Sequence, residues 1–356
     1  MDVVLEVFDT FVFDFLYATA LPLSAASSDV VSNVFNGVNS TAASAIAQVN
    51  GKGNGFVYTP STEYFSLEPF QSAYQSSLPR DNGFRQVFSL FLITWVFGLV
   101  LYFTVASLSY VFVFDKTAFN HPKYLKNQIS QEIGQAMHSM PLMAVLTAPI
   151  FLIEIKGYSK IYDTLEEAPF PMYNYLQFPL FLLFTDFCIY WIHRGLHHPL
   201  VYKKVHKPHH KWIMPTPYAS HAFHPLDGWS QGLPYHIFPF IFPLQKFAYV
   251  LLFVAINVWT VMIHDGEYVA NSPILNGAAC HTMHHLYFNY NYGQFTTLWD
   301  RLGNSYRKPN DELFRRETKM GQDEWNRQAK EMEEMVKQVE GSDDRTYDSG
   351  ETKKDL

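Results

Sequence analysis

Charged side chains leave long gaps in this chain. From Gln86 to Phe114 there are 29 residues without Asp, Glu, Lys or Arg. A helix needs roughly 20 apolar residues to cross a bilayer, so a tilted span is predicted there. A shorter apolar run, about 138–153, is interrupted by Pro141 and Pro149, and a third extends from Met172 to Ile192 with Asp186 its only charge. A fourth, Leu233 to Ile263, carries only Lys246 but has Pro234, Pro239 and Pro243 in its first half. Proline breaks a helix, so this block predicts two passes or a re-entrant hairpin. Together the runs predict an all-α, multi-pass membrane helical bundle.

The flanks differ in composition. Residues 1–85 mix short apolar pieces with a Ser/Ala/Asn/Gly-rich stretch from Ser24 to Gly55, which predicts a partly flexible N-terminal extension. Asp2 and Glu6 stand where a cleaved signal peptide would carry positive charge. Gly51, Gly53 and Gly55 lack the spacing and the strand-to-helix setting of a nucleotide loop. Residues 86–310 form the predicted bundle with its histidine-rich cap, and 311–356 a charged tail. The tail has fourteen acids and nine bases, so it holds −5 of the net −7, and nucleic acid is not an expected partner. Within it, Trp325, Met332, Met335 and Val339 punctuate Asp323–Glu340 at helical spacing, predicting an amphipathic helix lying on the membrane or on the domain. Cys188 and Cys280 provide neither a disulfide framework nor a Cys-x-x-Cys pair.

Charge also orients the bundle. Residues 193–211 contain Arg194, Lys203, Lys204, Lys207 and Lys211 and no acid, whereas 154–171 has four acids and two lysines. The excess of Lys and Arg places 193–211 on the cytosolic side. Counting back through three spans puts the N-terminus in the lumen, where the Asn39-Ser40-Thr41 sequon is accessible, and leaves the C-terminus cytosolic. Lys353 and Lys354 then match a dilysine retrieval signal of endoplasmic reticulum membrane proteins.

Thirteen of the fifteen histidines lie between His193 and His285. They form three boxes, HRGLHH at 193–198, HKPHH at 206–210 and HTMHH at 281–285. Histidines three or four apart share a helix face, and a neutral imidazole offers one lone pair to a transition metal. Eight or more imidazoles exceed the four ligands that close a zinc site, so two metals are predicted. The candidate ligands are His193, His197 or His198, His206, His209, His210, His281, His284 and His285. His264, at the end of the fourth block, is the best further ligand and His224 the next, while His236 reads as a core histidine. Pro208 predicts a helix beginning near itself with His206 just before it. Asp186 shares a helical face with Tyr190 and His193 and is expected to orient an imidazole from behind.

The boxes stand beside TPYASHAFHP at 216–225, IHDGE at 263–267 and YNYGQFTTLWDRLG at 290–303. With these segments the chain closely resembles the sterol C-5 desaturases, and over about residues 86–310 the membrane fatty acid hydroxylase superfamily. The resemblance implies an endoplasmic reticulum enzyme of sterol (ergosterol) biosynthesis. It would introduce the C5–C6 double bond into a Δ7-sterol using O2, two non-haem irons held by the histidines above, and electrons from NADH through cytochrome b5 and its reductase. Related hydroxylases carry a further histidine four residues beyond the position of His264; here Tyr268 stands there, preceded by Glu267. Either one imidazole fewer serves the site, or Glu267 or His224 completes it.

Elementary chemistry agrees. Removing hydrogen from an unactivated ring carbon requires a redox-active metal, which zinc is not. The chain has no dinucleotide fingerprint and no Cys-x-x-Cys-His haem motif, so electrons must come from outside, and Arg194 with the nearby lysines offers an acidic donor a basic rim. The sterol would enter from the lipid. Two alternatives use the same boxes: oxidation of a sterol C-4 methyl or hydroxylation of a fatty acid, and, in another class, a histidine-rich membrane zinc-binding or transport protein.

Overall fold

The structure, a computed structural model, describes residues 1–23, 54–266, 272–311 and 321–347. The Asn39 sequon, Glu267, Tyr268, Lys353 and Lys354 lie outside the described residues.

Helices α1 (Asp2–Phe8) and α2 (Asp14–Ala20) are joined by a π-helical turn at Asp9–Phe13. Three long apolar helices follow, α3 (Gly83–Phe112), α4 (Gln128–Ile153, continued by a π-helical turn at Glu154–Tyr158 that departs from helical backbone at Gly157) and α5 (Tyr173–Leu196), each long and apolar enough to cross a membrane. Pro141 and Pro149 sit inside α4 without ending it, so this helix starts ten residues earlier than its apolar run predicts. In lipid the alternative to a helix is unpaired backbone, which keeps proline-containing spans helical. The fourth block divides as its prolines predict, into α7 (Pro225–Ile241) and α8 (Lys246–Met262). The short α6 (Lys207–His210) precedes them, and α9 (Ala278–Tyr287) and α10 (Gln322–Val339) complete the series.

The helices fall into two compact units. The first comprises Met1–Phe97, Ala144–Asn174 and Pro239–Val250. In it the reversal between α7 and α8 is fixed by a two-residue parallel ladder, β1 (Ile161–Tyr162) against β2 (Leu244–Gln245), in register Ile161 to Leu244 and Tyr162 to Gln245. The Tyr173 hydroxyl donates to the Pro243 carbonyl at 2.8 Å. The first twenty residues are more ordered than their composition predicts. Asp9 and Asp14 turn inward onto Arg85, at 2.7 and 2.6 Å, and Arg80 donates to Asp14 and to the Thr10 hydroxyl. Phe11, Val12, Phe15 and Leu16 face outward. Two acids against two guanidiniums make a neutral buried cluster, the form in which charge is tolerated away from water.

The second unit comprises Gly98–Met143, Tyr175–Phe238 and Leu251–Leu356. Every residue of α9 is buried. The amphipathic helix expected in the tail is α10, and it lies on the protein: Met332 and Val336 pack against Ala278, Ala279, Met283, Leu286 and Tyr287 of α9, together with Tyr202 and Ile213. Burying an aliphatic side chain of this size stabilises by about 1.5–3 kcal/mol, so this contact holds α9 from behind. Near the start of α4, the fully buried Glu132 accepts the Thr216 N–H at 3.2 Å, the Thr216 hydroxyl, and the Gln128 amide at 2.7 Å.

Candidate metal centre

The ends of the helices deliver the imidazoles. His193 lies in the last turn of α5, and His197 continues that face, its N–H bonded to the His193 carbonyl at 3.3 Å. His206 closes a π-helical turn, Tyr202–His206, that runs directly into α6 with His209 and His210. The second box is therefore helical before Pro208, not only after it. A turn widened to i→i+5 changes which carbonyls seek partners, so a proline lacking N–H can follow without breaking the run. His264 comes just beyond α8, and His281, His284 and His285 lie on α9.

These side chains meet as two groups. His193, His197, His206, His210 and His284 form one, and His209, His264, His281 and His285 the other; within each, the candidate ligand atoms lie within 4.8 Å of one another. The two touch, with ring centroids 5.1 Å apart for His210 and His285 and 5.7 Å for His206 and His209. The His-His dipeptides of the second and third boxes are each divided between the groups: His209 and His285 go one way, His210 and His284 the other. Successive residues of a helix point about 100° apart, so one backbone serves two centres. That is the physical content of the H-x-x-H-H spacing.

Two expected ligands are not brought in. His198 is exposed past the end of α5, and its Nδ1 accepts the Leu200 N–H as a helix cap. The sequence left His197 and His198 open, and the end of the helix selects His197. His224 likewise turns its Nδ1 toward the Leu226 N–H, at 3.3 Å, and belongs to neither group. His236 is buried but also outside both, and His221 bonds Asn257 at 3.2 Å.

Hydrogen bonds behind the rings fix their tautomers. The Nδ1 of His193 faces the Tyr292 carbonyl at 2.9 Å, that of His284 the Tyr290 carbonyl at 2.7 Å, and that of His264 the Thr260 carbonyl at 2.7 Å. The Nδ1 of His206 lies 2.7 Å from the fully buried Asp227 carboxylate. Carbonyls and carboxylates only accept, so each Nδ1 carries the proton and each Nε2 presents a lone pair. Yet the Nε2 atoms of His193 and His206 face each other at 3.1 Å. His210 Nε2 is 3.1 Å from that of His206 and 3.2 Å from that of His197, and His281 Nε2 lies 2.9 Å from His264 and 3.1 Å from His285. His284 Nε2 is buried with no hydrogen-bond partner. The lone pairs of His193 and His206, whose tautomers are both fixed from behind, oppose each other and repel unless a cation lies between them. Imidazole nitrogens bound about 2.1 Å from one metal stand about 3 Å apart when their bonds are perpendicular. The residues present therefore fit a pair of transition-metal ions.

Electrostatics keep the lone pairs free. Burial, reinforced by neighbouring imidazoles, holds His197, His209, His210, His281, His284 and His285 well below the usual histidine range, and burial pushes His264 down to about 4. At neutral pH these rings are uncharged and competent to bind a metal.

The orienting carboxylate differs from the sequence expectation. Asp186 contacts no imidazole; its two oxygens accept the N–H groups of Gln294, Phe295 and Thr296 at 2.8–3.1 Å and the Thr296 hydroxyl at 2.5 Å. Asp300 holds the preceding residues, accepting from the N–H groups of Tyr292 and Gly293 at 2.9 and 2.8 Å. The two acids thereby shape the loop whose carbonyls at 290 and 292 orient His284 and His193. A Cβ at Gly293 would collide with the Thr296 carbonyl, so glycine is required there. Asp227, not Asp186, stands directly behind a ligand. Its signal was available: it is the sole acid between Asp186 and Asp265.

Comparison with known proteins agrees with this geometry. The pattern of the Fatty acid hydroxylase family matches residues 178–305, which contain every histidine of both groups. A Delta(7)-sterol 5(6)-desaturase of Aspergillus fumigatus is 65% identical over 357 residues, covering 100% of both chains. That of Leptosphaeria maculans is 62% identical over 354 residues, 98% of this chain and 97% of its own. A probable Delta(7)-sterol 5(6)-desaturase of Neurospora crassa is 61% identical over 357 residues, 99% of each. No solved structure matches. With similarity of this extent running through both histidine groups and the spans that carry them, the chain belongs to the Delta(7)-sterol 5(6)-desaturase family.

Proposed function

We propose that this chain removes one hydrogen each from C5 and C6 of a Δ7-sterol, at two iron ions held by nine histidines. The reading is carried by one observation: two adjoining groups of imidazoles, with lone pairs turned on each other, in a chain similar along its whole length to Delta(7)-sterol 5(6)-desaturases. His193, His197, His206, His210 and His284 hold one ion, and His209, His264, His281 and His285 the other. Bound iron supplies the activation of O2 that no side chain can provide.

The protein's own part is orientation and exclusion. Asp227 and the carbonyls of Thr260, Tyr290 and Tyr292 keep four rings in the ligating tautomer. Depressed basicity stops the imidazoles from taking the protons that the reaction consumes. The balance requires an outside donor: the sterol gives up two hydrogens, and two electrons and two protons more are needed to take one O2 to two waters. NADH, through its reductase and cytochrome b5, is the proposed source. Lys203, Lys204 and Lys211, exposed beside the second box, offer an acidic donor a cationic rim. Arg194 is partly engaged, donating to the Tyr190 hydroxyl and the Gly303 carbonyl. The sterol arrives from the bilayer; the charge asymmetry of the loops supports boxes and C-terminus on the cytosolic side, and Lys353 and Lys354 support the endoplasmic reticulum membrane.

Sterol profiling of cells lacking the chain tests this. Δ7-sterols are expected to accumulate, and the intact chain, but not His209→Ala, to restore the 5,7-diene. A hydroxylated sterol or fatty acid as product, or full rescue by His209→Ala, overturns it.

A further inference from the structure

The tail beyond α10 does not leave the protein. Glu340 follows the last turn of α10 with its side chain fully buried, accepting the Tyr202 hydroxyl at 3.0 Å and Arg345 at 2.9 and 3.1 Å. Lys207 approaches the same carboxylate at 3.2 Å and Asp344 at 3.0 Å. The Arg345 side chain is only 1% exposed. Besides Glu340 and Asp343, it donates from Nη2 to the His210 carbonyl at 3.0 Å and from Nε to the Lys211 carbonyl at 3.3 Å. The strand-like backbone then reaches Leu125, which bridges to Tyr347.

The carbonyls that end a helix lack partners in the helix and carry its negative pole, and a planar guanidinium satisfies two at once. Here they belong to α6, which carries His209 into one histidine group and His210 into the other. We propose that Arg345 is a positioning residue of the metal centre. The segment from α10 to Tyr347 is a clamp: its apolar face fixes the third box through α9, and Arg345, held by Glu340, fixes the second. The inference rests on the metal reading given above.

The test uses the full-length chain, reconstituted with iron in lipid nanodiscs, and follows iron per chain and its loss to excess ferrous chelator. Loss of a group that orients a ligand from behind weakens metal retention about 10- to 100-fold, and Arg345→Met is expected to release iron faster by that factor. Arg345→Lys keeps the charge without the fork and is expected to fall between the two. Glu334→Gln, on the exposed face of α10, is the control and is expected to match the unaltered chain. The double variant Glu340→Gln/Arg345→Met removes the carboxylate that Arg345→Met leaves short of a partner, and so recovers thermal stability. If Arg345 positions His210, the double variant still loses iron quickly. If it retains iron like the unaltered chain, Arg345 only neutralises Glu340 and the inference fails; it fails equally if Arg345→Met itself retains iron. An unaltered chain that takes up no iron overturns the metal reading, and this inference with it.

Discussion

The two histidine groups are chemically alike but differently held. In the five-histidine group, three rings are aligned from behind: His193 and His284 by carbonyls of one loop, His206 by a buried carboxylate. In the four-histidine group His264 is aligned by the Thr260 carbonyl and His285 interacts with the Trp212 backbone, while the buried Nδ1 of His209 has no hydrogen-bond partner, as is also true of His197 and His210 in the first group. His209 instead lies against Phe223, ring centroids 4.5 Å apart. The first group presets three rings, one of them with a negative charge behind it; the other presets fewer, has no such charge, and holds His209 by packing. A preset ligand set binds its ion at lower cost in order, so the five-histidine group is expected to hold the tighter ion.

Removing a ligand is the severest way to break this contrast. His206→Ala is expected to lower diene formation by more than about 100-fold and to halve the iron content, read by metal analysis of the purified chain. Asp227→Asn sharpens it: the amide no longer demands the Nδ1 proton, and iron retention in the five-histidine group is expected to fall about 10- to 100-fold while the other group keeps its ion. Asp186→Asn acts through the 290–297 loop; it is expected to destabilise by about 1–3 kcal/mol in thermal unfolding, with a smaller loss of iron than Asp227→Asn.

Acidification probes both groups together. A histidine whose folded pKa lies below its unfolded value contributes fully above the unfolded value, and that contribution is lost as pH falls through the folded one. For His264, pushed down to about 4, stability of the metal-free chain is expected to be flat above about pH 6.5 and to decline from there toward pH 4. A midpoint of denaturation that rises on acidification contradicts this. At the small end, His198→Ala and His224→Ala are expected to change turnover less than about twofold, because neither ring enters a group.

Much of the architecture was legible from the gaps between charges. The apolar runs located all three long helices, and the prolines of the fourth block marked its division. The boxes named eight of the nine histidines that the structure brings together, since ligand spacing follows from helix geometry alone, and the end of the fourth block named His264. What escaped depended on where helices stop. Choosing His197 over His198 requires knowing that α5 has ended and that the next ring is occupied as a cap. The expectation for Asp186 followed helical period, but a loop more than a hundred residues away needed that carboxylate for its own N–H groups. The helical entrance to the second box was hidden because Pro208 argues locally for a break, and the widened turn before it has no signature in composition. The order of residues 2–20 was hidden because its acids find their partners in Arg80 and Arg85, far along the chain.

The paired histidines of the second and third boxes have a mechanical consequence. His209 and His210 share a peptide bond, as do His284 and His285, yet each pair is split between the groups. Settling one ion therefore immobilises backbone that the other ion needs. Iron uptake is expected to be cooperative, with chains carrying two ions or none outnumbering those with one at half saturation, a distribution that native mass spectrometry resolves directly.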